Sequence, residues 1–305
     1  MALLHAHSWE CMESELELFT LPPTQTTIES AQWVHYKPIS SLTDDSPIEF
    51  VVPGNGDEYL DLAHTMLSLR VQLCSKDASA AAALSKAAYL DLAHTMLSLR
   101  VQLRSKDASA ADALSKAAPV NNLLHSLFNQ VDVFLNQKLV SPPNNAYAYR
   151  AYIETLLNYG PAAKGSHLSS VLWYDDTPGH MDDTAGKNMG LANRQAFVGK
   201  DKTVDLIGHV HYDVFNQEKF LLNGVELRLQ LVRTRDGFSL MDPNNACSLH
   251  ITEATLLVRR AKISPGILIA HSKMLSKTTA KYPLTRVEVK TLKMYAGLHG
   301  GTMDN

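Results

Sequence analysis

Two histidines one residue apart, His209 and His211, lie close in sequence to Asp205 and Asp213. A His-x-His pair on a strand presents two imidazoles to one face, which is how a zinc site begins. A catalytic zinc takes three protein ligands, and no third ligand stands at a recognisable spacing, so the pair reads as strand-surface histidines. The carboxylate pairs Asp175-Asp176 and Asp182-Asp183 flank Gly179-His180. They supply hard oxygen ligands without the regular alternation of a calcium loop, and the stretch reads as a solvated acidic loop. The tyrosines Tyr147, Tyr149, Tyr152 and Tyr159 form an aromatic run suited to packing at a core or interface. No GxSxG, GxxxxGK[ST], strand-linked GxGxxG or HExxH pattern occurs. We therefore assign no catalytic, cofactor-binding or metal residue, expect no cofactor, and read the protein as a non-enzyme.

The composition sets further bounds. The 305 residues are 45% hydrophobic and 19% charged, enough to bury one large or two modest cores. A net charge of −3 offers no basic field for nucleic acid, and none is expected as a partner. Cys11, Cys74 and Cys247 are odd in number and far apart, which fits a reducing compartment better than a disulfide framework. Met1 to Thr20 has neither the basic start nor the apolar run of a secretory signal, and no apolar stretch reaches the ~18 residues of a membrane span. A soluble protein made inside the cell is expected.

The elements that would hold these residues are mostly short strands. Ile48 to Val52 is a strand closed by Pro53-Gly54-Asn55-Gly56, and Pro22-Pro23 with the Thr/Ser-rich stretch to Ser30 suggests an extended N-terminal arm. Leu67, Leu69, Val71 and Leu73 alternate with polar residues, the period of a half-buried strand. Val120 to Gln130 predicts a short helix, Val131 to Val140 a strand with a turn at Asn136-Gln137, and Tyr147 to Tyr159 a helix stopped by Gly160-Pro161. Residues 164–202 read as a surface loop. Phe220 to Leu231 reads as a hairpin about Asn223-Gly224, with later strands at His250 to Ile263 and Thr285 to Met294. Together they predict a mainly β protein, a jelly-roll β-sandwich with short helices in long loops.

One segment stands apart. Residues 59–88 recur as 89–118 with only Cys74/Arg104 and Ala82/Asp112 differing. Two copies are too few for a solenoid, which needs about three or more units, so this is a tandem duplication or gene-assembly error with one surplus copy.

Long strings of the chain resemble the hexon-like major capsid proteins of Polinton/Maverick elements and adintovirus-like viruses, which also occur integrated in animal genomes. They are WVHYKPISSLTDDSPIEFVVPGNGD (33–57), the stretch from Val120 to Gly160, LSSVLWYDDTPGHMDD (168–183), FLLNGVELRLQL (220–231) and Ile263 to Val289. The resemblance implies a double jelly roll whose copies form homotrimeric, pseudo-hexameric capsomers with other capsid subunits in a virion, without direct nucleic-acid or membrane binding. It implies an arm over 1–47, a first sandwich over 48–280 carrying the duplication, and the start of a C-terminally truncated second sandwich over 281–305. The duplication and early end depart from the family pattern and point to an inactive integrated copy. Two other readings share the fold: a carbohydrate- or peptide-binding module, in which Trp173, Tyr174 and His180 line a pocket, and a cupin-like metal enzyme using His209 and His211.

Overall fold

A computed structural model describes residues 25–54, 56–75, 117–142, 145–198, 203–243, 247–284 and 286–289. Among the described residues, ten strands run in chain order: β1 (Ile28–Tyr36), β2 (Ile48–Val52), β3 (Glu58–Ser75), β4 (Ala118–Pro119), β5 (Phe128–Leu135), β6 (Lys138–Leu139), β7 (Thr203–His209), β8 (Leu227–Arg233), β9 (Leu240–Met241) and β10 (Cys247–Ile263). Two four-stranded sheets have the orders β1-β10-β3-β7 and β2-β8-β5-β6, while β4 and β9 form a separate short ribbon. With that ribbon set aside, successive strands alternate between the sheets except at the β5-β6 hairpin. This double Greek-key order is a jelly roll.

The inner faces follow from alternation. Ile48, Phe50 and Val52 on β2 face Leu67, Leu69, Val71 and Leu73 on β3 within one buried cluster. On β10 the buried positions run Cys247, Leu249, Ile251, then Ala254, Leu256, Val258. The spacing of three between Ile251 and Ala254 would turn the strand's apolar face outward, but a register shift between Ile251 and Glu253 absorbs the extra residue. A second irregularity, between Leu257 and Arg259, puts its extra residues on β3, so alternation along β10 continues and Ala261 and Ile263 lie on the outer face, where they join Tyr59 in a small separate cluster.

Several expectations change. Ile28–Tyr36, inside the stretch read as an arm, is the edge strand of a sheet, paired antiparallel with β10. Its mostly exposed side chains conceal it from a burial pattern. The helix expected over Val120 to Gln130 is one turn, α1 (Leu123–Ser126), because Phe128 already pairs with Arg233. The expected hairpin about Asn223-Gly224 does not form. Leu221 bridges to Leu60 in one sheet, whereas Leu227–Arg233 joins β2 and β5 in the other, so the turn is a corner between sheets. Only Gly224 there has positive φ, while Asn136 and Gln137 both do and close the true two-residue hairpin between β5 and β6.

The helix α2 (Tyr147–Asn158) forms as expected and ends before Gly160. Residues 164–202, read as a loop, contain a 3-10 segment, His167–Val171, and the helix α3 (Met189–Val198). After Ser264-Pro265, where only a stop was expected, α4 (Pro265–Leu275) begins, with proline tolerated in its first turn. Of the strand expected over Thr285 to Met294, residues 286–289 are not strand and the rest lies outside the described residues. In the duplication, the first copy fills β3. The second copy, apart from Ala117 and Ala118, lies outside the described residues.

Candidate assembly surface

α2 follows the break at Ser141-Pro142 and packs on β5 and α1. Its inner face buries Tyr147, Ala148, Arg150, Ala151 and Thr155. Its outer face carries Tyr149, Tyr152, Ile153, Leu156 and Leu157, each 37–76% exposed. That spacing of i, i+3, i+4, i+7 and i+8 is the apolar stripe of an amphipathic helix, turned toward solvent. Tyr149 meets Phe238 edge to face at 5.5 Å, and Tyr152 lies 5.1 Å from the buried Trp173, which extends the stripe at its flanks. The aromatic run is thereby divided: Tyr147 points in, Tyr149 and Tyr152 point out, and Tyr159 packs beside His167.

Charge lies behind the stripe. The Arg150 side chain, 5% exposed, donates to Glu154 at 2.8 Å and to Asp213 at 2.6 Å, and its guanidinium stands 5.1 Å over the Tyr212 ring. His211 Nδ1 lies 2.9 Å from the second Glu154 oxygen. His125 Nδ1 lies 3.0 Å from the Tyr147 hydroxyl, and its ring meets that of His211 edge-on at 4.6 Å. Burial, reinforced by the neighbouring His211 and His209, holds the His125 pKa well below its ordinary value, so this ring is neutral near pH 7. Burial likewise raises the Tyr147 phenol. For Glu154, burial pushes upward, but hydrogen bonds from His211 and Arg150 outweigh it and hold the carboxyl below its ordinary range. Asp213 Oδ2 and Arg150 Nη1 have no hydrogen-bond partner among the described residues. Both residues line a recess of about 410 Å³ beside Leu157 and Pro283.

The sequence-level metal candidates are not gathered. β7 ends at His209, whose pKa is lowered mainly by burial, and His211 turns inward to Glu154. Asp205 is bound by Arg70 at 2.7 Å and Asp213 by Arg150, so both acids are matched to arginines. In the acidic loop, Asp175 accepts from Trp173 Nε1 at 2.9 Å. Asp176 accepts from Arg194 at 2.7 Å and from Asn188 at 2.9 Å. Arg194, the hub of this loop, also donates to the backbone oxygens of Pro119 and Tyr174. His180 is exposed, whereas Trp173 is buried. Among the described residues, no group of three or more His, Cys, Asp or Glu side chains is placed to hold a metal. No helix among them is long and apolar enough to cross a membrane.

Reading the sequence missed Arg150, Glu154 and Arg194 as structural centres, as well as the outward stripe. The signal for the stripe was present in the i, i+4 spacing of Arg150 and Glu154 set against the apolar positions 149, 152, 153, 156 and 157.

No family model matches the chain. An uncharacterised protein of Caenorhabditis elegans, F54H12.2, is 22% identical over 283 residues, which cover 91% of this chain and 60% of that protein. The chain thus spans about 60% of the length of the curated relative it matches. Among solved structures, a chain of the Sputnik virophage particle aligns at a TM-score of 0.47 with 11% identity, covering 85% of this chain and 53% of its own. The Faustovirus major capsid protein aligns at 0.43 with 10% identity, covering 90% and 59%. The mavirus major capsid protein aligns at 0.37 with 11% identity, covering 88% and 53%.

Proposed function

We propose that this chain is a structural subunit of a viral-type capsid, a jelly roll whose copies assemble through the face built from α2 and the loop elements of residues 164–198. The observation that carries the reading is the orientation of α2. An isolated soluble domain would turn Tyr149, Tyr152, Ile153, Leu156 and Leu157 inward, whereas here the inward side carries the ionised Arg150 and the apolar side meets solvent. A contiguous exposed apolar patch on a rigid base is the surface expected of a protein–protein contact. The jelly-roll strand order and the sequence resemblance to hexon-like capsid proteins point the same way.

In this reading the sandwich, expected over 48–280 and extended by β1 back to Ile28, is the first of two, and residues 281–305 lead toward a second. The copies form a homotrimer of pseudo-hexameric shape, alongside other capsid subunits, and the chain is made in the host cell and ends in the virion. The Polinton/Maverick affiliation belongs to the same proposal. It assigns no catalytic step and no cofactor. The test is the solution mass of the purified chain by light scattering, repeated for a Leu156→Glu, Leu157→Glu variant. A trimer that the double substitution reduces to monomer is the expected result. A wild-type chain that stays monomeric at every concentration overturns trimer formation by this chain, and a trimer indifferent to the substitution overturns the role given to α2.

A further inference from the structure

At the far end of β3 lies a second apolar feature, built differently. α4 has no buried residue, although Ile267, Leu268, Ile269, Met274 and Leu275 make it one of the most apolar segments of the chain. Between it and the outer face of the sheet runs a groove of about 570 Å³, with Tyr59, Phe220 and Ile263 as its floor and Ile267, Met274 and Leu275 as its wall. The volume lies in the range of roughly 300–1,000 Å³ found for sites that enclose a bound group.

We propose that this groove is filled by the N-terminal segment of the same chain, with Leu16, Leu18, Phe19 and Leu21 seated on the apolar floor. Three observations select this occupant. The described chain begins at Gln25, Thr27 and Ile28 line the groove, and the Thr27 carbonyl accepts from Ser264 N at 2.9 Å at the start of α4. At ~3.3–3.6 Å per extended residue, Leu21 stays within about 20 Å of Thr27, so the segment needs no long linker. The composition fits, since Leu16 to Leu21 reads LELFTL, followed by the stiff Pro22-Pro23.

The charges also fit. Residues 1–24 carry Glu10, Glu13, Glu15 and Glu17 and no lysine or arginine. Lys219 and Lys281 line the groove, neither ion-paired among the described residues, with Glu218 the one carboxylate in its lining, and Lys273 and Lys277 lie on α4 and just after it. The other segments outside the described residues fit less well. Residues 290–305 begin with Lys290 and Lys293, which the lysines would repel. Residues 76–116 depart from Ser75, about 50 Å along β3 from Tyr59 at ~3.3 Å per residue. A segment seated in its own groove is no longer a free arm for neighbouring subunits. The proposal stands apart from the assembly reading, since it invokes neither α2 nor a second copy.

Hydrogen exchange of the full chain, read by mass spectrometry on peptides from α4, tests it. Three proteins are compared: the full chain, the chain lacking residues 1–24, and a Leu18→Glu, Phe19→Glu variant. Exchange in α4 should rise about tenfold or more in both altered proteins, and a synthetic peptide of residues 13–24 added to the shortened chain should restore protection. Unchanged exchange in β10 and β3 shows that the sandwich still folds, so that loss of α4 protection reports the groove alone. Equal α4 exchange in all three proteins overturns the proposal. Protection that grows with protein concentration in the full chain also overturns it, because the segment would then come from a neighbouring copy.

Discussion

α2 and α4 both present apolar side chains to solvent, yet they are attached to the sandwich in opposite ways. α2 is held from beneath by Arg150, Glu154 and Asp213, all largely buried, and by the Tyr147 hydroxyl against His125. α4 buries none of its residues and is tied by a contact of 2.8 Å between Tyr59 and His271 and by partial packing of Ile267 and Leu268. A buried ion pair is specific in geometry and costly to break, so α2 is fixed whether or not anything covers its outer stripe. α4 has no buried ion pair of this kind among the described residues. In the two proposals above, the first is a surface prepared for a partner and the second is one wall of a groove filled from the same chain.

The sharpest way to break the comparison is to remove the anchor. Arg150→Ala leaves Glu154 and Asp213 buried without their cation, and should cost about 3–5 kcal/mol in urea unfolding, as expected for half of a buried pair. The matching deletion on the other helix, His271→Ala, should cost well under half of that. Equal costs would mean that the two helices are anchored alike.

A smaller effect separates the helices by pH. His125 titrates in the folded protein well below its ordinary 6.5, so between those two values the unfolded chain binds a proton that the folded chain does not. Stability is therefore full above about pH 6.5 and falls as the pH drops, by up to about 1.4 kcal/mol per pH unit for one proton. Glu154, with its folded pKa below 4.5, adds stability above that value, and this share is lost as the pH falls through the folded pKa. Urea midpoints at pH 7, 6 and 5 should show the first slope in the wild type and a flatter one in His125→Gln. An identical slope in both would move the proton uptake elsewhere.

The sequence made one kind of feature legible and hid another. Local signals were readable: the alternation of β3, the helix ended by Gly160-Pro161, and the turn at Asn136-Gln137 each depend on neighbours in the chain. What depends on distant partners was not. β1 has too few buried side chains to announce itself and is a strand because β10 lies beside it. Asn223-Gly224 carries the strongest local hairpin signal, yet its flanks pair with different sheets, a choice made by Leu60 and by β2. The same holds for the site. His209 and His211 looked paired because they are two residues apart, but the partner that decides His211 is Glu154, 57 residues earlier. Arg194 looked like one more loop cation until folding placed Asp176 and two backbone oxygens around it.

The smallest effect probes the tie of α4 itself. Tyr59→Phe removes the hydroxyl that meets His271 while keeping the ring that floors the groove. A single partly buried hydrogen bond contributes about 0.5–1.5 kcal/mol, and the loss should lie at the lower end because the freed imidazole can turn to water. Global unfolding should therefore shift little, whereas exchange of the α4 amides should rise, since helix and sheet would open separately. That split, local opening without global loss, is what a flap produces and what an anchored helix cannot. If Tyr59→Phe instead lowered global stability as much as Arg150→Ala, α4 would belong to the cooperative core. Its exposed Ile269, Met274 and Leu275 would then need the same explanation as the stripe of α2, a partner outside the chain.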